Sequence, residues 1–290
     1  MNLRQTINAA RARLVSAGID DGEAGRDANL LARHVLGWDR ATLMTHEIDE
    51  AKPVFVERFD PLIERRARRE PVAYIRGEQE FWSRDFAVNP AVLIPRPETE
   101  LIIEELLACM PPELPARPAT VLDIGTGSGC LAVTAAAELP LLTVTATDIS
   151  GAALDVARAN AQRHGVGDRI TFVECAYVRS ASGPFDFIVS NPPYVTEPEY
   201  ENLSPEVREY EPRTALTAGE DGLRDIRQII DIASTHLVPG GTAFIEMGHR
   251  HSDAVTALVG GFPSLRLKKI STDLQRIPRV AIIERKITES

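Results

Sequence analysis

Apolar residues near the start of the chain recur at helical spacing. Leu3, Ile7, Ala10 and Leu14 form one stripe, closed by Gly18, and Ala28, Leu31, His34 and Val35 form a second face, stopped near Gly37. A third helix is expected from Val54 to Arg69, with Pro53 in its first turn, where the missing N–H is harmless. Between Pro71 and Ile94 the spacing changes. Tyr74, Ile75, Phe81, Trp82, Phe86 and Val88 are interrupted by Gly77 and polar turns, as in a hairpin. A helix over 101–109 follows, entered through Pro97 and the acids beside it. Pro111, Pro112, Pro115 and Pro118 read as a stiff connector. Beyond that point short apolar runs alternate with helical ones. Strands are expected at 120–124, 143–147, 170–173, 185–190, 242–247, 266–271 and 280–284, and helices at 128–138, 151–164, 223–236 and 252–259. The alternation predicts an α/β fold with a doubly wound, mostly parallel sheet. The expected organisation is a small helical domain over 1–70, a β-hairpin linker over 71–95 and the α/β domain over 96–290.

Composition narrows the partners. With 290 residues, 44% hydrophobic and 26% charged, the chain can build two cores. A formal net charge of −10 supplies no global attraction to nucleic-acid phosphates. Met1-Asn2-Leu3-Arg4-Gln5 lacks the apolar core of an export signal, and no window reaches the roughly 18 apolar residues of a membrane span. Cys109, Cys130 and Cys175 show no metal or redox spacing and read as small buried hydrophobes in a reducing compartment. The expectation is a cytoplasmic, monomeric protein with no metal, no membrane and no direct nucleic-acid contact. Three charged features stand out. Arg65, Arg66, Arg68 and Arg69 form either a solvated helix face or a docking surface for an acidic or phosphate-bearing partner. The acidic stretch Glu197 to Glu211 is either a solvated loop or a lid that repels phosphates. Glu246, His249 and His251 could be imagined as metal ligands, but they lack the recognised helical spacing, so a structural role is expected.

Two turns carry candidate chemistry. The first, Asp123-Ile124-Gly125-Thr126-Gly127-Ser128-Gly129, follows an apolar run. Its glycines alternate, unlike those of the dinucleotide fingerprint, and Asp123 at the strand end repels a pyrophosphate but attracts an ammonium or sulfonium. Asp148 ends the next strand, where a carboxylate can accept both ribose hydroxyls or can simply cap the following helix. The second turn is Asn191-Pro192-Pro193-Tyr194, directly after the apolar run from Phe185 to Ser190. The Asn191 side-chain carbonyl and a proline-stiffened main-chain carbonyl at Pro192 are two acceptors near one point. That pair suits a planar NH2 group, with Tyr194 as a flat face beside it. Hydrogen bonds from both hydrogens of an amide would favour a pyramidal, partly cationic nitrogen, and so the transition state of methyl transfer. If the two strands are neighbours at the switch point of the sheet, both turns open on one crevice.

These turns resemble the S-adenosylmethionine-dependent methyltransferases that act on planar NH2 groups. With Glu70-Pro71-Val72-Ala73-Tyr74-Ile75, Glu80-Phe81-Trp82-Ser83, Leu93-Ile94-Pro95-Arg96-Pro97-Glu98-Thr99-Glu100 and Tyr210-Glu211-Pro212-Arg213-Thr214-Ala215-Leu216, nearly the whole chain resembles one family, the glutamine N5-methyltransferases of peptide chain release factors. The resemblance implies a helical N-terminal domain that docks the release factor, a hairpin linker and a seven-stranded class I methyltransferase domain. It implies S-adenosyl-L-methionine as cofactor and the glutamine of the Gly-Gly-Gln motif of bacterial class I release factors as substrate. By the same resemblance Asp123, Gly125, Thr126, Gly127, Ser128, Gly129, Asp148 and Asn191 hold the cofactor, with Tyr177 near the adenine. Asn191, Pro192, Pro193 and Tyr194 then hold the glutamine amide. One departure stands beside it: many members have Asp where this chain has Ala176, which cannot accept a hydrogen bond from the adenine amino group. An adenine-N6 DNA or RNA methyltransferase would use the same clamp on a flipped base, but would be expected to carry a basic face.

Overall fold

The computed structural model describes residues 1–110, 118–178 and 183–287. The expected connector at Pro111, Pro112 and Pro115 lies outside the described residues. The chain forms two compact units, one from Met1–Glu78 with Ser204–Tyr210 and the other from Gln79–Leu203 with Glu211–Ser290.

The first unit is helical: α1 (Leu3–Ser16), α2 (Asp21–Leu36), α3 (Arg40–His46), α4 (Pro53–Ala67) and α5 (Val72–Arg76). Asn2 and Gln5 close a capping box on α1, and Gly37 ends α2 in the left-handed conformation that a side chain disfavours. The stripes meet in a core of Leu14, Leu31, Phe55, Phe59 and Ile63. Each such side chain, when fully buried, contributes roughly 1.5–3 kcal/mol. Pro71 and Gly77 bracket α5, so the residues before the hairpin are helical, not extended. Arg66, expected on a charged surface, is buried at 1% exposure. Its guanidinium donates to Asp27 at 2.6 Å, to Glu23 at 2.7 Å and to Glu206 at 2.8 Å. Glu206 lies on a short helix far along the chain that belongs to this unit, and it also accepts from Arg69, while Arg65 pairs with Glu70. Three of the four arginines are thus engaged internally.

The second unit opens with a hairpin of β1 (Glu78–Phe81) and β2 (Arg84–Ala87). Its turn residues Trp82 and Ser83 have φ of 53° and 56°, a strained choice without glycine. Glu100 and Glu80 offset the strain by accepting the N–H groups of Trp82 and Ser83 at 2.6 and 2.5 Å. Phe81 and Phe86 enter the core.

The sheet then unfolds as expected. Its strands are β3 (Ala119–Ile124), β4 (Leu142–Asp148), β5 (Ile170–Glu174), β6 (Phe185–Ser190), β7 (Leu237–Glu246), β8 (Leu265–Thr272) and β9 (Pro278–Arg285). They lie in the order β5-β4-β3-β6-β7-β9-β8, parallel except for β9, which runs antiparallel to both neighbours. Helices α6 (Glu100–Cys109), α7 (Cys130–Glu138) and α8 (Gly151–Arg163) contribute to the core, as do α11 (Arg224–His236) and α12 (Ser252–Gly260). Sheet residues divide between two apolar clusters, one with α6 and α7, the other with α11 and α12, as alternation along buried strands requires. Two short helices, α9 (Glu197–Glu201) and α10 (Pro205–Tyr210), fill the acidic stretch after β6. Among the described residues no helix is long and apolar enough to cross a membrane.

Candidate active site

The strand order reverses between β3 and β6, which pair in parallel through Val121–Phe187 and Asp123–Val189. Both candidate turns follow these two strands, so their carboxyl ends open on the same crevice. A cavity of about 770 Å³ lies there, within the range of small-molecule sites. Gly125, Thr126, Gly127 and Ser128 line it from one side, Asn191, Pro192 and Pro193 from another, and Asp148 and Tyr177 complete the wall. Asp123, Gly129 and Tyr194 are not part of that wall.

The glycine turn is built from β3 and β4 together. Gly125 and Thr126 both donate to the Thr147 carbonyl at 2.9 Å. Gly127, at φ 55°, turns its N–H onto Asp148 Oδ2 at 2.9 Å. Asp148 Oδ1 accepts from Ser150 at 2.9 Å, while Ser150 itself caps α8 through Ala153. Asp148 therefore braces the turn and leaves the capping to its neighbour. Burial holds its carboxyl above the usual range, against these backbone hydrogen bonds. Gly129 has a different duty: a Cβ there would lie 3.1 Å from the Ala157 Cβ, so α7 can start close against α8 only with glycine. Asn160, fully buried on α8, donates to the Ser128 carbonyl at 2.8 Å and also pairs with the backbone of Ala87.

Beneath the turn, Asp123 is fully buried. Thr126 donates to its Oδ2 at 2.6 Å, and among the described residues its Oδ1 has no hydrogen-bond partner. Burial pushes its carboxyl up to about 7. On the far wall, the Tyr177 hydroxyl donates to Asp225 at 2.5 Å, and Asp225 pairs with Arg224. Ala176 and Asp225 both line the cavity, so a carboxylate is present on this wall although not at position 176.

The second turn is anchored from below. Asn191 Nδ2 donates to Thr99 Oγ1 at 3.0 Å, and Thr99 donates to Glu246 Oε2 at 2.7 Å. The Tyr194 hydroxyl donates to Glu246 Oε1 at 3.1 Å. Glu246 thus gives both oxygens to hydroxyl groups of the site. The stretch after the turn is also organised. Val195 pairs with the strand-like segment at Leu216 to Ala218, and buried Glu211 accepts from the Ile94 N–H at 3.1 Å and from Arg96 at 2.5 Å. Glu199 closes a capping box on α9 with Thr196. Glu206 and Glu211 are therefore structural, whereas Glu197, Glu199, Glu201 and Glu209 are exposed. The three cysteines are free and only half-buried. Cys130 lines the cavity, and its thiol is pushed up to about 12 by burial.

Sequence reasoning missed Thr99, Asn160, Glu211 and Asp225, and saw in Glu246 only a weak metal candidate. Asn160 was the detectable one, as a polar residue on the apolar face of α8 beside Val156 and Ala157.

Comparison with known proteins agrees with this architecture. The sequence profile of the PrmC N-terminal domain matches residues 5–77, and that of the methyltransferase small domain matches residues 101–205. A release factor glutamine methyltransferase of Koribacter versatilis is 40% identical over 97% of this chain and 98% of its own. Another, of Cereibacter sphaeroides, is 44% identical over 89% of this chain and 90% of its own. Among solved structures, a methyltransferase from Pyrococcus furiosus matches with a TM-score of 0.52 and 21% identity, covering 77% of this chain and 98% of that one. The catalytic domain of hMettl16, solved with an RNA hairpin, matches at a TM-score of 0.54 and 18% identity over 70% of this chain and 76% of that one. These two share the fold, whereas the relatives at 40% identity extend over both units, and by them this chain is a methyltransferase that belongs to the release factor glutamine methyltransferase family.

Proposed function

We propose that the chain transfers the methyl group of S-adenosyl-L-methionine to the side-chain amide nitrogen, N5, of the glutamine in the Gly-Gly-Gln motif of bacterial class I peptide chain release factors. The observation that carries this reading is the tethered amide of Asn191 on the wall of a cavity shared with the glycine turn. The family names of the relatives support the substrate.

The residues present suit the cofactor. The turn from Gly125 to Ser128 exposes backbone to the cavity, and Asp148 uses one lone pair of each oxygen on Gly127 and Ser150, leaving one on each for a diol. The orphaned, buried oxygen of Asp123 lies under the same turn and favours a cationic ligand above it. When bound, the cofactor supplies a methyl carbon on a positively charged sulfur. Asn191 Oδ1 and the Pro192 carbonyl are the acceptors assigned to the two hydrogens of the glutamine amide. Holding both hydrogens aims the nitrogen lone pair and stabilises the charge that grows on nitrogen as the N–C bond forms. Transfer would replace the carbon–sulfur bond by the new N–C bond, and one N–H proton would leave to solvent. Pro193 stiffens the turn, and Tyr194 ties it to Glu246.

The test is incubation with methyl-labelled S-adenosylmethionine, a release factor and its Gly-Gly-Ala variant. Label should enter the factor and vanish in the variant. Label in DNA or RNA with none in the factor overturns the reading.

A further inference from the structure

An asparagine amide can turn half a circle about its last bond with almost no change in shape, exchanging an acceptor for a donor. Asn191 serves an NH2 group only if its oxygen faces the cavity. Some other group must therefore set its direction, and among the described residues the hydrogen-bond partner of its side chain is Thr99.

Thr99 is 2% exposed and Glu246 is 1% exposed. An ionised carboxylate only accepts hydrogen bonds, so both hydroxyls that reach Glu246 must turn their hydrogens toward it. The one proton of Thr99 is then committed, and its oxygen can only accept from Asn191. The amide end that donates is Nδ2, found at 3.0 Å. The polarity of each bond in the chain is thus dictated by the carboxylate at its end. Resting on the reading of the site as one that methylates an NH2 group, we infer that Glu246, acting through Thr99, fixes the amide of Asn191 with its oxygen toward the cavity and so makes the site select an N–H donor. Glu246 and Thr99 are positioning residues that act through Asn191.

The charge of Glu246 is the variable in this arrangement. Burial pushes its carboxyl up to about 7, against the hydrogen bonds from Thr99 and Tyr194; Glu98 raises it further and Arg279 opposes. Arg96 lies near Tyr194, and Cys130 on α7 senses the same carboxylate. Once protonated, Glu246 can donate, Thr99 is freed to donate to Asn191, and the amide loses its preference. Turnover should therefore fall on the acid side of about pH 7.

The test compares Thr99→Val, Thr99→Ser and Glu246→Gln in the full chain. Thr99→Val should lower kcat for the release factor by about 10- to 100-fold, with cofactor affinity within about threefold of wild type. Thr99→Ser should restore most of the rate. Glu246→Gln should abolish the acid limb of the kcat–pH profile. In nuclear magnetic resonance of the free protein, solvent exchange of the Asn191 side-chain NH2 should accelerate at least about tenfold in Thr99→Val, since that hydrogen bond is lost. Equal losses in the Val and Ser variants would mean a packing role and overturn the inference, as would an acid limb retained by Glu246→Gln or unaltered NH2 exchange. If the wild type methylates no release factor while the exchange result holds, the proposed substrate falls and the orientation of Asn191 stands.

Discussion

Asp148→Asn keeps the volume at the end of β4 but removes one acceptor oxygen and the negative charge. In the folded chain Oδ2 takes the Gly127 N–H and Oδ1 the Ser150 N–H, both at 2.9 Å. An asparagine oxygen can serve one of these donors, and its NH2 then faces the other. The turn loses a brace and, on the proposed reading, the cofactor loses one anionic acceptor for its diol. A hydrogen bond to a charged group contributes about 1.5–3 kcal/mol, so the Kd for S-adenosylmethionine should rise about 10- to 150-fold. On the same reading other residues hold the methyl acceptor, so kcat at saturating cofactor should stay within about threefold of wild type. Calorimetric titration gives the first quantity and initial rates the second. An unchanged Kd, or an intact Kd with a tenfold fall in kcat, would refute this division of labour and move Asp148 to the transfer step.

Asn191→Ala should show the opposite split, a loss of about 10²-fold or more in kcat with cofactor Kd nearly unchanged, measured by the same two assays. Arg66→Ala takes the buried counter-charge from Asp27 and leaves Glu206 with Arg69 alone. It should destabilise that unit by about 3–5 kcal/mol, read by urea unfolding followed at Trp38 in a Trp82→Phe background; a loss below about 1 kcal/mol contradicts the reading. Glu246 offers a linkage test, because its carboxyl moves from 4.5 to about 7 on folding. Between those values the folded protein binds more protons than the unfolded chain, so this group's contribution to stability falls as pH rises and levels off above 7. Glutamine has no such dependence, so the stability of Glu246→Gln relative to wild type should climb by up to about 1.4 kcal/mol per pH unit across that window. Denaturant melts at a series of pH values check it, and a flat difference rules out a buried acid.

The sheet was legible because its signals are local. Val121 to Ile124 and Phe185 to Ser190 are apolar runs that end at unmistakable turns, and β6 was placed at its observed ends. β7 begins earlier than expected, at Leu237, because Pro239-Gly240-Gly241 reads as a break yet is accommodated by an irregularity in its pairing with β6. The short helices α3, α9 and α10 carry too few turns to show a period. The glycine turn and the Asn191 turn were visible as motifs, but what holds them was not. Thr99 and Glu246 are 147 residues apart, and no spacing rule connects two such positions. Arg66 shows the same limit in another form. Four arginines in five positions look like surface, and only the fold reveals that Asp27, Glu23 and Glu206 converge on one of them.

That convergence has a consequence for how the chain is made. Arg66 and Glu206 are separated by 140 residues, so the helical unit is a discontinuous piece of the polypeptide. A ribosome adds roughly 5–20 residues per second, so Glu206 emerges some 7–28 s after Arg66. During that interval the N-terminal helices hold a buried guanidinium matched by Asp27 and Glu23 alone. The bundle can collapse early, but its polar core closes only after β3 to β6 have been synthesised, which orders the two units in time although neither is contiguous in sequence. Nascent chains stalled before and after residue 206 should accordingly differ in protease resistance of residues 1–78, and equal resistance would show that the first two carboxylates already suffice.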